Sequence, residues 1–180
     1  EGNHIVPDTI TRAEATATGT QGARSFGVLS ESNTGNSLTV QLGSLDISSQ
    51  AVTEDGEGRS FGIYSYDNST VTMKGGSVTS SAESQNGDST VYGIFSGESS
   101  HVTSGAGSVT AFSSSGGSDA WVYSYGIQAD GSSSFTATNP LTKIEASATS
   151  REKASQLFVY GINAESDSAV TLNNADITVQ

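Results

Sequence analysis

The sequence predicts an all-β fold, a parallel β-helix (β-solenoid) of about five three-stranded coils of 31–35 residues each, and three observations carry that reading. An aromatic-Gly-aliphatic triplet recurs five times, in SFGVLS, SFGIYS, VYGIFS, SYGIQA and VYGINA. Its glycines, Gly27, Gly62, Gly93, Gly126 and Gly161, stand 35, 31, 33 and 35 residues apart, a spacing at which internal repeats build solenoids or propellers. Between the triplets lie short stretches in which Val, Ile, Thr and Phe alternate with polar residues, the period-two signature of strands. Leu, Ala, Glu and Lys are too scarce at 3.6 spacing for helical repeats, and a propeller blade of about 40 residues or more is longer than these units.

Taken in order, the chain enters on ITRAEATATGT, whose Arg12-x-Glu14 matches Lys143-x-Glu145 in LTKIEASATSRE, and so begins in the third strand of an earlier coil. Residues 10–23 are that partial coil; 24–58, 59–90, 91–124 and 125–159 are full coils, and 160–180 is a last partial one. Within each coil the triplet is the first strand. The second is SLTVQL, STVTMK, SHVTSG, SFTATN or AVTLNN, with Leu38, Val71, Val102, Phe135 and Val170 as landmarks. The third is SLDIS, SVTSS, SVTAF, KIEASA or ADITV, with Leu45, Val78, Val109, Ile144 and Ile177. Extra residues fall in ESNTGNS and at Asn139-Pro140, both natural turns. One protruding loop per coil is expected in QAVTEDGEG, AESQNGDST, FSSSGGSDAWVYS and SATSREKASQLFV. Starting and stopping in mid-coil, the chain reads as a piece of a longer rod.

Side chains two apart in a strand share a face. On that rule the ladder Phe26, Phe61, Tyr92, Tyr125, Tyr160 and the ladder Val28, Ile63, Ile94, Ile127, Ile162 both point inward, with Ser30, Ser65, Ser96, Ala129 and Ala164, while the glycine lies on the opposite face. Leu29, Tyr64, Phe95, Gln128 and Asn163 then point outward, followed by Tyr66. The candidate ligand-binding residues are Tyr64, Tyr66 and Phe95 on that face, with Trp121 and Tyr123 in the third loop, because exposed aromatics beside amides and hydroxyls suit sugar rings or a protein partner.

Composition narrows the chemistry. Seven basic residues stand against nineteen acidic ones, a net charge of −12, which disfavours a nucleic-acid partner. The absence of cysteine removes disulfides, thiolate zinc sites and thiol catalysis. No apolar run is long enough to span a membrane as a helix, and residues 1–20 lack the layout of a signal peptide. Lys74 has no basic counterpart at Gln41, Gly105, Thr138 or Asn173, and neither His4 nor His101, which is expected outward, completes a nucleophile-base-acid set. Glu14, Asp46, Thr79, Thr110, Glu145 and Asp176 are expected to share one outward ladder, and acids one coil apart there would couple as an acid and base pair. No catalytic residue, metal site or cofactor is assigned. The first corner, with Glu31, Asp67, Glu98, Asp130, Glu165 and Asp167, offers hard oxygen ligands of the kind calcium takes.

The tandem aromatic-Gly-Ile coils, strands such as STVTMKGGSVTSS, the acidic balance and the lack of cysteine resemble the passenger regions of bacterial autotransporters and related surface adhesins. The resemblance covers roughly residues 10–180. It implies a right-handed β-helix displayed outside the cell, often attached to a membrane-embedded barrel; no barrel sequence is present, so membrane anchoring would come only from other regions. The expected function is a non-enzymatic, extracellular or cell-surface solenoid that adheres to a host or bacterial surface glycan or protein, or serves as a stalk. The alternatives are a polysaccharide hydrolase or lyase, with Asp46, Glu145 or Asp176 as its carboxylates, and a viral tail-fibre segment. The sequence leaves the oligomeric state open.

Overall fold

The computed structural model describes residues 2–5, 10–32, 37–140, 143–152 and 155–180. Among them are fifteen strands and no helix: β1 (Gly2–Ile5), β2 (Arg12–Gly19), β3 (Gly22–Glu31), β4 (Leu38–Thr53), β5 (Glu57–Tyr66), β6 (Ser69–Ser84), β7 (Ser89–Gly97), β8 (His101–Ser104), β9 (Ser108–Ser115), β10 (Trp121–Asp130), β11 (Ser134–Ala137), β12 (Lys143–Ser150), β13 (Gln156–Ala164), β14 (Ala169–Thr171) and β15 (Asp176–Val179). The pairing is parallel, and each strand meets its equivalent in the next coil: a β-solenoid of about five turns. One sheet of five strands stacks the triplets in the order β13-β10-β7-β5-β3, and a ten-stranded sheet holds the remainder. In β4 and β6 the second and third segments join into single 16-residue strands. In later coils they separate, as β8 and β9, then β11 and β12. β2 pairs with the third segment of β4, as expected, whereas β1 lies alongside Leu38–Gln41, so the chain is already coiling one strand earlier than the sequence indicated.

Two landmarks of the first full coil shift by two residues. Val40, not Leu38, pairs with Val71, and Ile47, not Leu45, pairs with Val78. Residues 33–36 of the ESNTGNS turn and Leu141 and Thr142 after Asn139-Pro140 lie outside the described residues. The expected protruding loops are largely strand. β4, β6 and β9 run on to Thr53, Ser84 and Ser115, and the next coil begins after three to five residues.

The interior has two parts. At the wide end Ile63, Ile94 and Ile127 meet Val71, Val102 and Phe135, and Val78, Val109 and Ile144, all at most 1% exposed. The narrow end is lined with Ala51, Ala82, Ala111 and serines, whose small side chains let the two sheets approach. Those serines are hydrogen-bonded: Ser60 Oγ lies 2.7 Å from Ser49 Oγ and 2.9 Å from Ser80 Oγ, and Ser89 Oγ donates to the Ala82 carbonyl at 3.1 Å. Satisfying each hydroxyl locally avoids the desolvation penalty of a bare buried polar group.

The triplet behaves differently from the simple alternation. The glycine points inward: a Cβ on Gly93 would sit 2.5 Å from Val109 Cγ1 and 2.5 Å from the Gly126 carbonyl oxygen. Along β7, residues 91, 93, 94 and 96 are buried while 92 and 95 are partly exposed, so two consecutive residues face the core. The ladder pairing omits the glycine, passing from Tyr92↔Tyr125 directly to Ile94↔Ile127. The in-out phase therefore flips at each glycine, in the manner of a bulge. Ile94 and Ser96 face inward as expected, but the aromatic ladder Phe26, Phe61, Tyr92, Tyr125, Tyr160 faces outward. The third-strand aliphatic fills the space that the missing Cβ leaves. Ala164 pairs with the fully buried Ala129, in the ladder expected to face inward.

The corner after the triplet repeats one backbone device. Asp67-Asn68, Glu98-Ser99, Gly131-Ser132 and Ser166-Asp167 each place two consecutive residues at positive φ, between 47° and 65°. Asp and Asn tolerate that region because their short polar side chains bond locally, which favours polar letters at these four corners.

Candidate functional site

The phase flip builds the candidate site. Because the residues at 59, 61 and then 64 and 66 all face outward in β5, the outer surface of the five-stranded sheet carries five parallel rows. Running along the solenoid, they are Gly22, Glu57, Asp88, Trp121, Gln156; Arg24, Arg59, Thr90, Tyr123, Phe158; Phe26, Phe61, Tyr92, Tyr125, Tyr160; Leu29, Tyr64, Phe95, Gln128, Asn163; and Glu31, Tyr66, Gly97, Asp130, Glu165. Eleven of the thirteen aromatic residues of the chain stand on this face. Phe135 is in the core and Phe112 is exposed on the other sheet.

Stacking organises the rows. In the central one the ring centroids follow at 5.0, 4.9, 4.8 and 5.0 Å, with planes within 8° of parallel, as in-register strands about 4.8 Å apart require. Tyr64 stacks on Phe95 at 5.1 Å and meets the edge of Phe61 at 5.0 Å. Tyr66 lies 5.7 Å from Tyr64. At the opposite end of the strands Tyr123 stacks on Phe158 at 4.8 Å and on Trp121 at 6.0 Å, and a 6.2 Å contact ties Tyr123 to Tyr125. All five predicted residues thus share one face, joined through Tyr125, Tyr92 and Phe95. Trp121 and Tyr123 belong to β10 rather than to a loop. The aromatic band crosses the face diagonally, from Trp121 and Phe158 to Leu29 and Tyr66. Arg24, Arg59, Glu57 and Asp88 fill one remaining corner and Gln128, Asn163, Asp130 and Glu165 the other. The ladder Phe26, Phe61, Tyr92, Tyr125, Tyr160 and Phe158 extend the site beyond the residues read from sequence. The signal for the ladder was present in the serine or valine two places before each glycine, which takes the inward position.

Tyr64, Tyr66, Tyr92, Tyr123 and Tyr125 are held neutral. Tyr66 Oη donates a 2.5 Å hydrogen bond to Glu98 Oε1, which pushes its pKa up to about 12, and burial in the stack raises Tyr92 to about 12. Burial also raises Tyr64, Tyr123 and Tyr125. An unfolded tyrosine loses its proton near pH 10, so between about pH 10 and 12 the folded chain binds more protons than the unfolded one. Stability is then complete below pH 10 and falls as pH climbs toward 12. A phenolate absorbance titration is expected to show Tyr66 and Tyr92 ionising near the top of that window, and Glu98→Ala to return Tyr66 toward 10.

The carboxylates separate. With the corrected register Arg12, Asp46, Ser77, Ser108, Lys143 and Asp176 form one ladder and Glu14, Ser48, Thr79, Thr110, Glu145 and Thr178 another. Asp46, Glu145 and Asp176 therefore do not form an adjacent pair along either ladder. Arg12 pairs with Glu14, and Lys143 with Glu145 at 2.7 Å. The coil equivalent of Lys74 is Gly43, since Gln41 pairs with Thr72. His101 is exposed, with Nδ1 2.8 Å from Ser134 Oγ; the side chain of His4 lies outside the described residues. The corner acids do not share one ridge either: Glu31 pairs with Tyr66 and Asp130 with Gly97. Compared with protein-family models, with curated proteins and with solved structures, the chain matches none.

Proposed function

We propose that the protein is a non-enzymatic β-solenoid displayed on a bacterial cell surface, an adhesin or autotransporter passenger that holds a glycan or protein against its aromatic face. The observation that carries this reading is the gathering of eleven aromatic rings on one outward sheet face. Soluble monomers seldom expose a contiguous apolar patch of that kind without a partner for it. Stacking within the ladder covers ring faces, so a partner meets ring edges, phenol hydroxyls and the outermost rings. Trp121 is 44% exposed and Leu29 50%. The turns between coils are short, which makes the sheet face rather than a loop the contact surface.

The test is adhesion of labelled protein to immobilised neutral and acidic polysaccharides and to intact bacterial and epithelial cells. Retention without new reducing ends is expected. Trp121→Ala combined with Tyr64→Ala should weaken it about 30-fold or more, the effect of removing a binding hot spot of about 2 kcal/mol. Cleavage of any polysaccharide, or adhesion unchanged in the double variant, overturns the proposal.

A further inference from the structure

We infer that Tyr92, Tyr125 and Tyr160 form an oxidative cross-linking site, at which a peroxide-driven one-electron oxidant joins neighbouring coils through dityrosine bonds. The three phenols are consecutive rungs of the outward ladder, with centroids 4.8 and 5.0 Å apart and planes 7° and 4° from parallel. Their register is locked by the flanking pairs Ser124↔Val91 and Ile127↔Ile94 on one side and Ser124↔Val159 and Ile127↔Ile162 on the other. The rings consequently stay in contact for as long as the solenoid is folded. Tyr160 is 38% exposed. Trp121 and Tyr123, at 6.0 and 6.2 Å along the same chain of contacts, add oxidisable rings that can pass a radical to Tyr125. The sequence has no cysteine, so no disulfide can staple one coil to the next.

The chemistry balances with hydrogen peroxide as the oxidant. Each phenol gives up one electron and one proton, the two radicals join through a carbon–carbon bond between ring positions ortho to the hydroxyls, and each ring regains aromaticity by moving its ortho hydrogen to oxygen. The peroxide takes up the two electrons and two protons and leaves as two waters. Held neighbours react as an intramolecular pair with a high effective concentration, and the net charge of −12 keeps separate molecules apart.

The experiment treats dilute protein with a haem peroxidase and hydrogen peroxide, then measures dityrosine emission, intact mass and linked peptides. Monomeric product that has lost two hydrogens per link, with residue 125 joined to 92 or 160, is expected, and its urea midpoint should rise because the link closes a long loop in the unfolded chain. Tyr125→Phe should abolish ladder emission while folding normally, since Phe26 and Phe61 occupy the same position in other coils. Phe61→Tyr should add a link between 61 and 92, rings now 4.9 Å apart. Absence of product, links only between molecules, oxidation confined to Trp121 or Met73, or emission undiminished by Tyr125→Phe overturns the inference.

Discussion

Gly93→Val, like the same change at the equivalent Gly62, is expected to destabilise the solenoid strongly. The new Cβ would stand 2.5 Å from the Gly126 carbonyl oxygen and 2.5 Å from Val109 Cγ1. Neither neighbour can yield cheaply: the first is backbone between two ladder pairs, and the second is a fully buried core side chain. Overpacking costs about 1–3 kcal/mol when side chains can adjust, and here backbone must move, so a loss of about 3 kcal/mol or more is expected in urea unfolding. Against a total stability of about 5–15 kcal/mol that is a large fraction. Gly22→Ala is the control. Its Cβ would meet only the Glu57 carbonyl oxygen, at 3.4 Å, and the change should stay within about 0.5 kcal/mol. Equal losses at the two sites would contradict the inward placement of the triplet glycine.

Phe135→Ala is the second large effect. Phe135 is 1% exposed and is the bulkiest of the fully buried side chains, filling in one coil the space that Val71 and Val102 fill in two others. Truncation removes its transfer free energy and leaves a cavity between two hydrogen-bonded sheets that cannot collapse, a cost of about 3–5 kcal/mol. Phe135→Val should cost less, because valine is the residue of the adjoining rungs. A calorimetric unfolding midpoint unchanged by Phe135→Ala would show that this ladder is not core.

The coil itself was legible because stacking forces the same residue type into the same place every 31–35 residues, and Val71, Val102 and Phe135 or Ile63, Ile94 and Ile127 obey that plainly. Facing was legible only as far as strict alternation held. It held for Ile94, Ser96, Phe95 and Tyr66, and failed for Tyr92 because Gly93 turns inward beside Ile94. A bulge leaves no mark in a count of every second residue. Register failed at Leu38 and Leu45 for a related reason: a polar turn of variable length can absorb two extra residues without changing any apolar letter. Trp121 and Tyr123 stand in a strand that reads as a loop in the sequence, since a strand whose outward residues are aromatic has little polar contrast to display. The aromatic ladder Phe26, Phe61, Tyr92, Tyr125, Tyr160 is legible as a ladder, and only its facing is reversed, by the same phase flip at the glycine.

The solenoid pairing has a kinetic consequence. Each rung of the triplet sheet bonds to chain 31, 33 or 35 residues away, and almost none of its ladder is local. Loops of that length must close before any contact rewards them. The first pair of coils is then the slow step, and every later coil docks on a ready-made template, as in other nearest-neighbour arrays. Growth of this kind resembles a zipper more than a collapse. A substitution that loosens a middle rung such as Val91 to Gly97 would interrupt propagation at that point, leaving one half wound and the other half waiting.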